Sequence, residues 1–122
     1  MTSRKTKGQA EAEISKAVVE FEREYMGRGP ADIKTHIVRD MVIVRLTGIL
    51  TPAEQQLVRA GNVELLKQVR TKLLEGGREW LEQSVQEITG LPVITTHSDL
   101  STKTGERIIV FILSDNIEEK FR

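Results

Sequence analysis

The sequence predicts a two-layer α+β domain: an antiparallel four-stranded sheet from two β-hairpins, backed by helices, in the order αββααββ. Three observations predict it. Segments 9–25 and 63–89 repeat apolar residues at helical spacing, whereas 32–38, 41–47, 93–98 and 106–113 read as strands. Each strand pair is joined by a short polar link, which makes both pairs hairpins. The 122 residues are 39% hydrophobic and 30% charged, enough for one core without disulfide support. The expected division is a flexible basic tail over 1–8, one domain over 9–117 and a charged end over 118–122.

In the first segment Ile14, Val18, Phe21 and Tyr25 share one side with Ala10 and Ala17, and Glu11, Glu13, Lys16, Glu20, Glu22 and Arg23 take the rest. That is an amphipathic helix with one face to bury. Met26-Gly27-Arg28-Gly29-Pro30 stops it. Ile33, Thr35 and Ile37 then alternate with Lys34, His36 and Val38, and Val42, Val44 and Leu46 with Met41, Ile43 and Arg45. Only Arg39-Asp40 separates the two runs. Arg-Asp suits a type I′ turn poorly, which leaves room for a loop one or two residues longer.

Thr51-Pro52-Ala53-Glu54 reads as an N-cap, a proline at the first helical position and the return arm of a capping box. Structural capping alone accounts for this motif. The helix runs to Arg59 and pauses at Gly61-Asn62. In the long segment Leu66, Val69, Leu73, Trp80, Ser84 and Ile88 form the stripe expected to be buried, broadened by Leu65, Leu74, Leu81 and Val85. Glu64, Lys67, Arg70, Lys72, Arg78, Glu79, Glu82 and Glu87 are assigned to a solvated outer face. Gly76-Gly77 marks close packing against the sheet or a second subunit, with a hinge as the alternative. Gly90 and Pro92 close the helix.

In the second hairpin, Asp99-Leu100-Ser101-Thr102-Lys103-Thr104-Gly105 is the expected loop. The last strand is apolar on both faces, with Ile108, Val110 and Ile112 opposite Ile109, Phe111 and Leu113. Such a strand needs cover on both sides, either as a central strand or in a dimer interface, and a homodimer is expected.

Function classes narrow quickly. Eighteen Lys and Arg balance eighteen Asp and Glu, which argues against a nucleic-acid surface. Cysteine is absent, so thiol chemistry and zinc–thiolate sites are excluded. No apolar run approaches the roughly 18 residues of a membrane span, and the basic start leads into no apolar signal core, so a cytoplasmic protein without membrane insertion is expected. P-loop, nucleophile-elbow and zinc-protease motifs are missing. His36, His97 and Asp99 meet only if the hairpins pair side by side, and both histidines read as ordinary strand residues. No catalytic set, metal or cofactor is expected.

Two loops are better candidates. Gly27, Arg28 and Gly29 combine backbone N–H groups with a guanidinium suited to phosphate or carboxylate. Ser101, Thr102 and Lys103 offer hydroxyls and an ammonium. Taken singly, each is better explained structurally: the first as a helix stop and turn with Arg28 paired to a carboxylate, the second as a solvated hairpin loop. Their convergence at one end of the sheet would make a pocket for a small anion or nucleotide.

The runs Glu22-Arg23-Glu24-Tyr25-Met26-Gly27-Arg28-Gly29-Pro30, Leu46-Thr47-Gly48-Ile49-Leu50-Thr51-Pro52-Ala53-Glu54 and Thr102-Lys103-Thr104-Gly105-Glu106-Arg107-Ile108-Ile109-Val110-Phe111 together resemble the bacterial MpsC-like family, over roughly residues 8–113. The resemblance implies a small component that accompanies a membrane system translocating cations, generating membrane potential and linked to inorganic carbon uptake. It supplies no catalytic residues to carry over. The expected function is therefore a non-enzymatic cytoplasmic accessory or regulator that contacts membrane transporter subunits. The alternative is an anion- or nucleotide-binding sensor, and the third reading a metal-dependent enzyme.

Overall fold

The computed structural model describes residues 5–121; residues 1–4 of the expected tail, and residue 122, lie outside it. Helix α1 (Lys7–Met26) starts two residues ahead of the expected Gln9. The Thr6 hydroxyl accepts the Gln9 N–H at 3.1 Å, and the Gln9 side chain accepts the Thr6 N–H at 2.8 Å. This reciprocal cap satisfies donors that water would otherwise serve. The helix ends where Gly27 turns to φ 87°.

Strands β1 (Asp32–Val38) and β2 (Met41–Thr47) pair from Val38↔Met41 outward, so the link is only Arg39-Asp40. Arg39 accepts a positive φ of 57° there. The chain's end stabilises the turn: the Ile117 and Glu118 N–H groups donate to the Arg39 carbonyl at 2.9 and 3.2 Å. Ile117 and Phe121 are buried, and Glu118 pairs with Lys7 at 3.0 Å, so residues 117–121 pack on the domain.

Helix α2 (Pro52–Arg59) carries the expected cap, Thr51 and Glu54 bonding reciprocally at 3.2 and 2.9 Å. Helix α3 (Val63–Thr89) is unbroken over 27 residues. Strands β3 (Val93–Ser101) and β4 (Glu106–Leu113) complete one antiparallel sheet ordered β1-β2-β4-β3. The inner position of β4 is one of the two reasons expected for its apolar faces. β3 runs three residues further than predicted, because Leu100 is buried and pairs with Arg107 while the Asp99 carboxylate accepts the Leu100 N–H at 2.8 Å. The loop shrinks to Thr102-Lys103-Thr104-Gly105.

Helices α1 and α3 cover one sheet face, where Ile37, Val42, Val44, Leu46, Ile109 and Phe111 are buried with Ile14, Val18, Phe21, Leu81 and Val85. On the other face Met41, Ile43, Ile108, Val110 and Ile112 stay half-exposed. The inward stripe of α3 is Leu66, Arg70, Leu74, Gly77, Leu81, Val85 and Thr89. It lies one residue, about 100° of helix, from most of the predicted stripe. Leu65, Val69, Leu73 and Trp80 face outward instead. An arginine, a glycine and a threonine occupy the inner face, so apolar periodicity alone does not mark it.

Gly77 explains the double glycine. A Cβ there would collide with the Phe21 ring and stand 3.0 Å from Tyr25. The close neighbour is α1 rather than the sheet, and the helix runs unbroken through both glycines. Gly76 meets open space. Gly77→Ala should therefore destabilise the fold by about 1–3 kcal/mol through overpacking. Gly76→Ala should stabilise it by about 0.5–1 kcal/mol through helix propensity. Urea denaturation of both variants checks the contrast, and equal shifts would contradict so close a crossing.

Candidate functional site

The two candidate loops meet. Both are tied to the segment leaving β2: the Ala31 N–H donates to the Thr47 carbonyl at 2.8 Å, and the Ile49 N–H to the Gly105 carbonyl at 3.2 Å. Between them lies a hollow of about 350 Å³ whose walls include Arg28, Gly48, Gln55, Thr102, Lys103 and Thr104. The exposed Arg28 guanidinium donates to the Gly48 carbonyl at 3.4 Å. Neither Arg28 nor Lys103 has a carboxylate partner among the described residues. Two cations and two hydroxyls at one rim can attract an anion.

The remaining candidates shape the loops without lining the hollow. Gly27 supplies the left-handed helix end, and Gly29 rests on Val19 and Arg23. Ser101 belongs to β3 rather than to the loop; its carbonyl accepts the Gly105 N–H at 2.9 Å. The histidines do not converge. β1 and β3 are the two sheet edges, so three strand spacings of about 4.8 Å hold His36 and His97 roughly 14 Å apart. No group of three His, Asp or Glu side chains suited to a metal exists among the described residues.

Sequence reasoning missed a buried charge cluster. Arg70, assigned to the solvated face, is 1% exposed. Its Nε donates to Glu54 Oε2 at 2.7 Å, and its Nη2 to Glu54 Oε1 at 2.6 Å and to the Ile49 carbonyl at 2.9 Å. Glu22 of α1 and Arg107 of β4 complete the cluster, with Arg70–Glu22 at 3.6 Å and Arg107–Glu22 at 3.8 Å. The signal was the register: Arg70 falls four residues after Leu66 and four before Leu74, on the buried stripe.

Protonation follows from this geometry. Burial raises the Glu22 carboxyl above its ordinary value, while Arg107 and Arg70 pull it back. Burial also pushes Glu54 upward, but hydrogen bonds from Arg70 and the Thr51 N–H, with the Arg70 charge, outweigh it and hold Glu54 below the ordinary value. Burial likewise lowers Arg107, against the Glu22 charge.

Fold and site together define a small α+β domain with helices on one sheet face, an open cationic hollow and an internal ion cluster. The chain belongs to the MpsC family: the family model described as "Na+-translocating membrane potential-generating system (MpsC)" matches residues 6–115. It is 46% identical over 117 residues to the Bacillus subtilis (strain 168) protein described as "Uncharacterized protein YbcI", covering 95% of this chain and 94% of that one. It is 24% identical over 110 residues to "Uncharacterized protein YrhF" of the same strain, covering 88% of this chain and 90% of that one. No solved structure matches the chain.

The Glu54–Arg70 pair dictates a pH dependence. A depressed carboxyl contributes stability above its unfolded value of 4.5 and loses it as pH falls through the lower folded value. Glu22, raised, has the opposite sign: its ionisation weakens the fold as pH rises above 4.5. Glu54→Gln should cost about 3 kcal/mol at pH 7, by leaving Arg70 short of charge. It should cost less at pH 3.5, below the unfolded value of 4.5, where part of the ionised pair's contribution is already lost. Denaturation midpoints at the two pH values check this, and parallel losses would contradict it.

Proposed function

We propose that the chain is a non-enzymatic accessory or regulatory subunit of a Na+-translocating, membrane-potential-generating system, working in the cytoplasm through protein contacts. The family match over residues 6–115 carries this reading. No helix of the described residues is long and apolar enough to cross a membrane, so the helical path for the ion would belong to a partner. The outward stripe of Leu65, Val69, Leu73 and Trp80 on α3 gives that contact an apolar surface. Deleting the gene should lower the Na+-dependent membrane potential read by a voltage-sensitive dye. The wild-type chain should restore it, and a Val69→Asp/Leu73→Asp double variant that folds normally should not. An unchanged potential in the deletion strain would end the proposal.

The half-exposed sheet face is proposed to pack on a second copy. Lys34, Arg45, Ile108 and Asp99 form one row across the sheet, a cation at one edge and a carboxylate at the other. Turning a copy about an axis parallel to the strands lays each Lys34 over the other's Asp99, around a centre of Ile43 and Val110. An axis across the strands makes no such pairing. Light scattering should give a dimer, and Val110→Asp a monomer; a monomeric wild type at micromolar concentration would exclude this packing.

A second reading, an anion- or nucleotide-binding sensor, is favoured by the meeting of loops 27–30 and 102–105 in one hollow. A nucleotide present at 100 times its dissociation constant should stabilise the fold by about 2.7 kcal/mol. Arg28→Ala with Lys103→Ala should remove that thermal shift, and a flat response of the wild type would discard the sensor.

A further inference from the structure

A second recess, of about 310 Å³, lies away from the loop hollow, between α3 and the edge strand β3. Arg70 and Arg107 line it, although they are only 1 and 2% exposed. Lys67 and Thr71 stand on its helical wall and Ser98 on its strand wall. Much of the charge around it is already engaged. Arg70 serves Glu54 and the Ile49 carbonyl. Arg78 pairs with Glu75 and Glu82 and reaches the Thr96 carbonyl at 3.4 Å. Of the acidic wall residues, Glu75 is held by Arg78, and Asp99 accepts the Leu100 N–H.

Arg107 is different. Its Nε and Nη1 are buried without a hydrogen-bond partner among the described residues, as are Arg70 Nη1 and the facing Glu22 Oε2. Glu22 approaches Arg107 only to 3.8 Å, beyond hydrogen-bond reach. Arg107 lines the recess while, among the described residues, its charge is met only by Glu22 at 3.8 Å, so an oxyanion in the recess adds a second counter-charge beside it. Lys67 has no carboxylate partner, and no hydrogen bond engages the Thr71 or Ser98 hydroxyl among the described residues. A guanidinium, an ammonium and two hydroxyls supply more donors than the two oxygens of a carboxylate use well. A phosphoryl group, with three or four oxygens and nearly two charges, matches them. The volume also exceeds that of a bare phosphate and falls at the lower end of small-ligand pockets.

We propose that the recess between α3 and β3 is a phosphoryl-binding site, with Arg107 and Lys67 as its charge partners and Thr71 and Ser98 as hydroxyl donors. It is separate from the hollow of Arg28 and Lys103 and stands or falls without it. The ligand is free phosphate or the phosphate end of a small monoester.

The test titrates the full chain at constant ionic strength with inorganic phosphate and, in a parallel arm, with ribose 5-phosphate, following amide resonances by NMR. Saturable shifts centred on Thr71 and Ser98 are expected. Tighter binding of the sugar phosphate would assign the site to a monoester, and equal or tighter binding of inorganic phosphate to the free ion. Lys67→Ala, a rim change at an unpaired residue, should weaken binding at least about tenfold, the effect of losing one charge-assisted contact, with the denaturation midpoint unchanged. Arg28→Ala/Lys103→Ala should leave the affinity as it was. Absence of saturable shifts in both arms would overturn the proposal. So would binding that survives Lys67→Ala but disappears in the Arg28/Lys103 variant.

Discussion

The Arg70 guanidinium is the junction on which the arrangement depends. It fastens α3 to the first turn of α2 through Glu54, to the connecting segment through the Ile49 carbonyl, and faces α1 at Glu22. Water has almost no access, so none of these contacts is readily exchanged for solvent. Breaking one side of a buried ion pair strands the other, which makes such a junction stiff even where its net contribution to stability is small. The consequence travels outward. The segment that Arg70 holds is the one whose Thr47 carbonyl and Ile49 N–H anchor the two loops. A charge in the interior thereby positions the groups at the rim.

The sheet imposes the second constraint. With β4 inside the order β1-β2-β4-β3, one face of its residues meets α1 and α3 and the other only half escapes solvent. Three faces then carry separate properties: a half-covered apolar sheet surface, an outward apolar stripe on α3, and cationic concavities at the loop end and beside β3. The same strand order holds the two histidines at opposite edges.

Local signals were legible where one residue has one role. The Thr51 cap, the glycine stops and the alternation of β1 and β2 each follow from sequence and recur in the structure. Legibility failed where polarity and position disagree. Arg70, Gly77 and Thr89 sit on the buried stripe of α3, so counting apolar residues turned the helix by one position. Asp99 and Ser101 are polar yet extend β3, because the edge strand solvates one side while Leu100 anchors the other. Glu54 was explained by its cap alone. Its second oxygen was free to take Arg70, a partner sixteen residues away that only the tertiary fold reveals.

The three segments that carry the family likeness are distant in sequence and adjacent in space. Residues 22–30 bring Glu22 and Arg28, residues 46–54 bring Gly48 and Glu54, and residues 102–111 bring Lys103 and Arg107. Each contributes one charge to the buried cluster and one wall to the hollow. The resemblance is therefore a resemblance of one spatial unit, in which interior ions set the loops and the loops present the cations. The rim of this chain is thus held from within, by ions that the solvent hardly reaches.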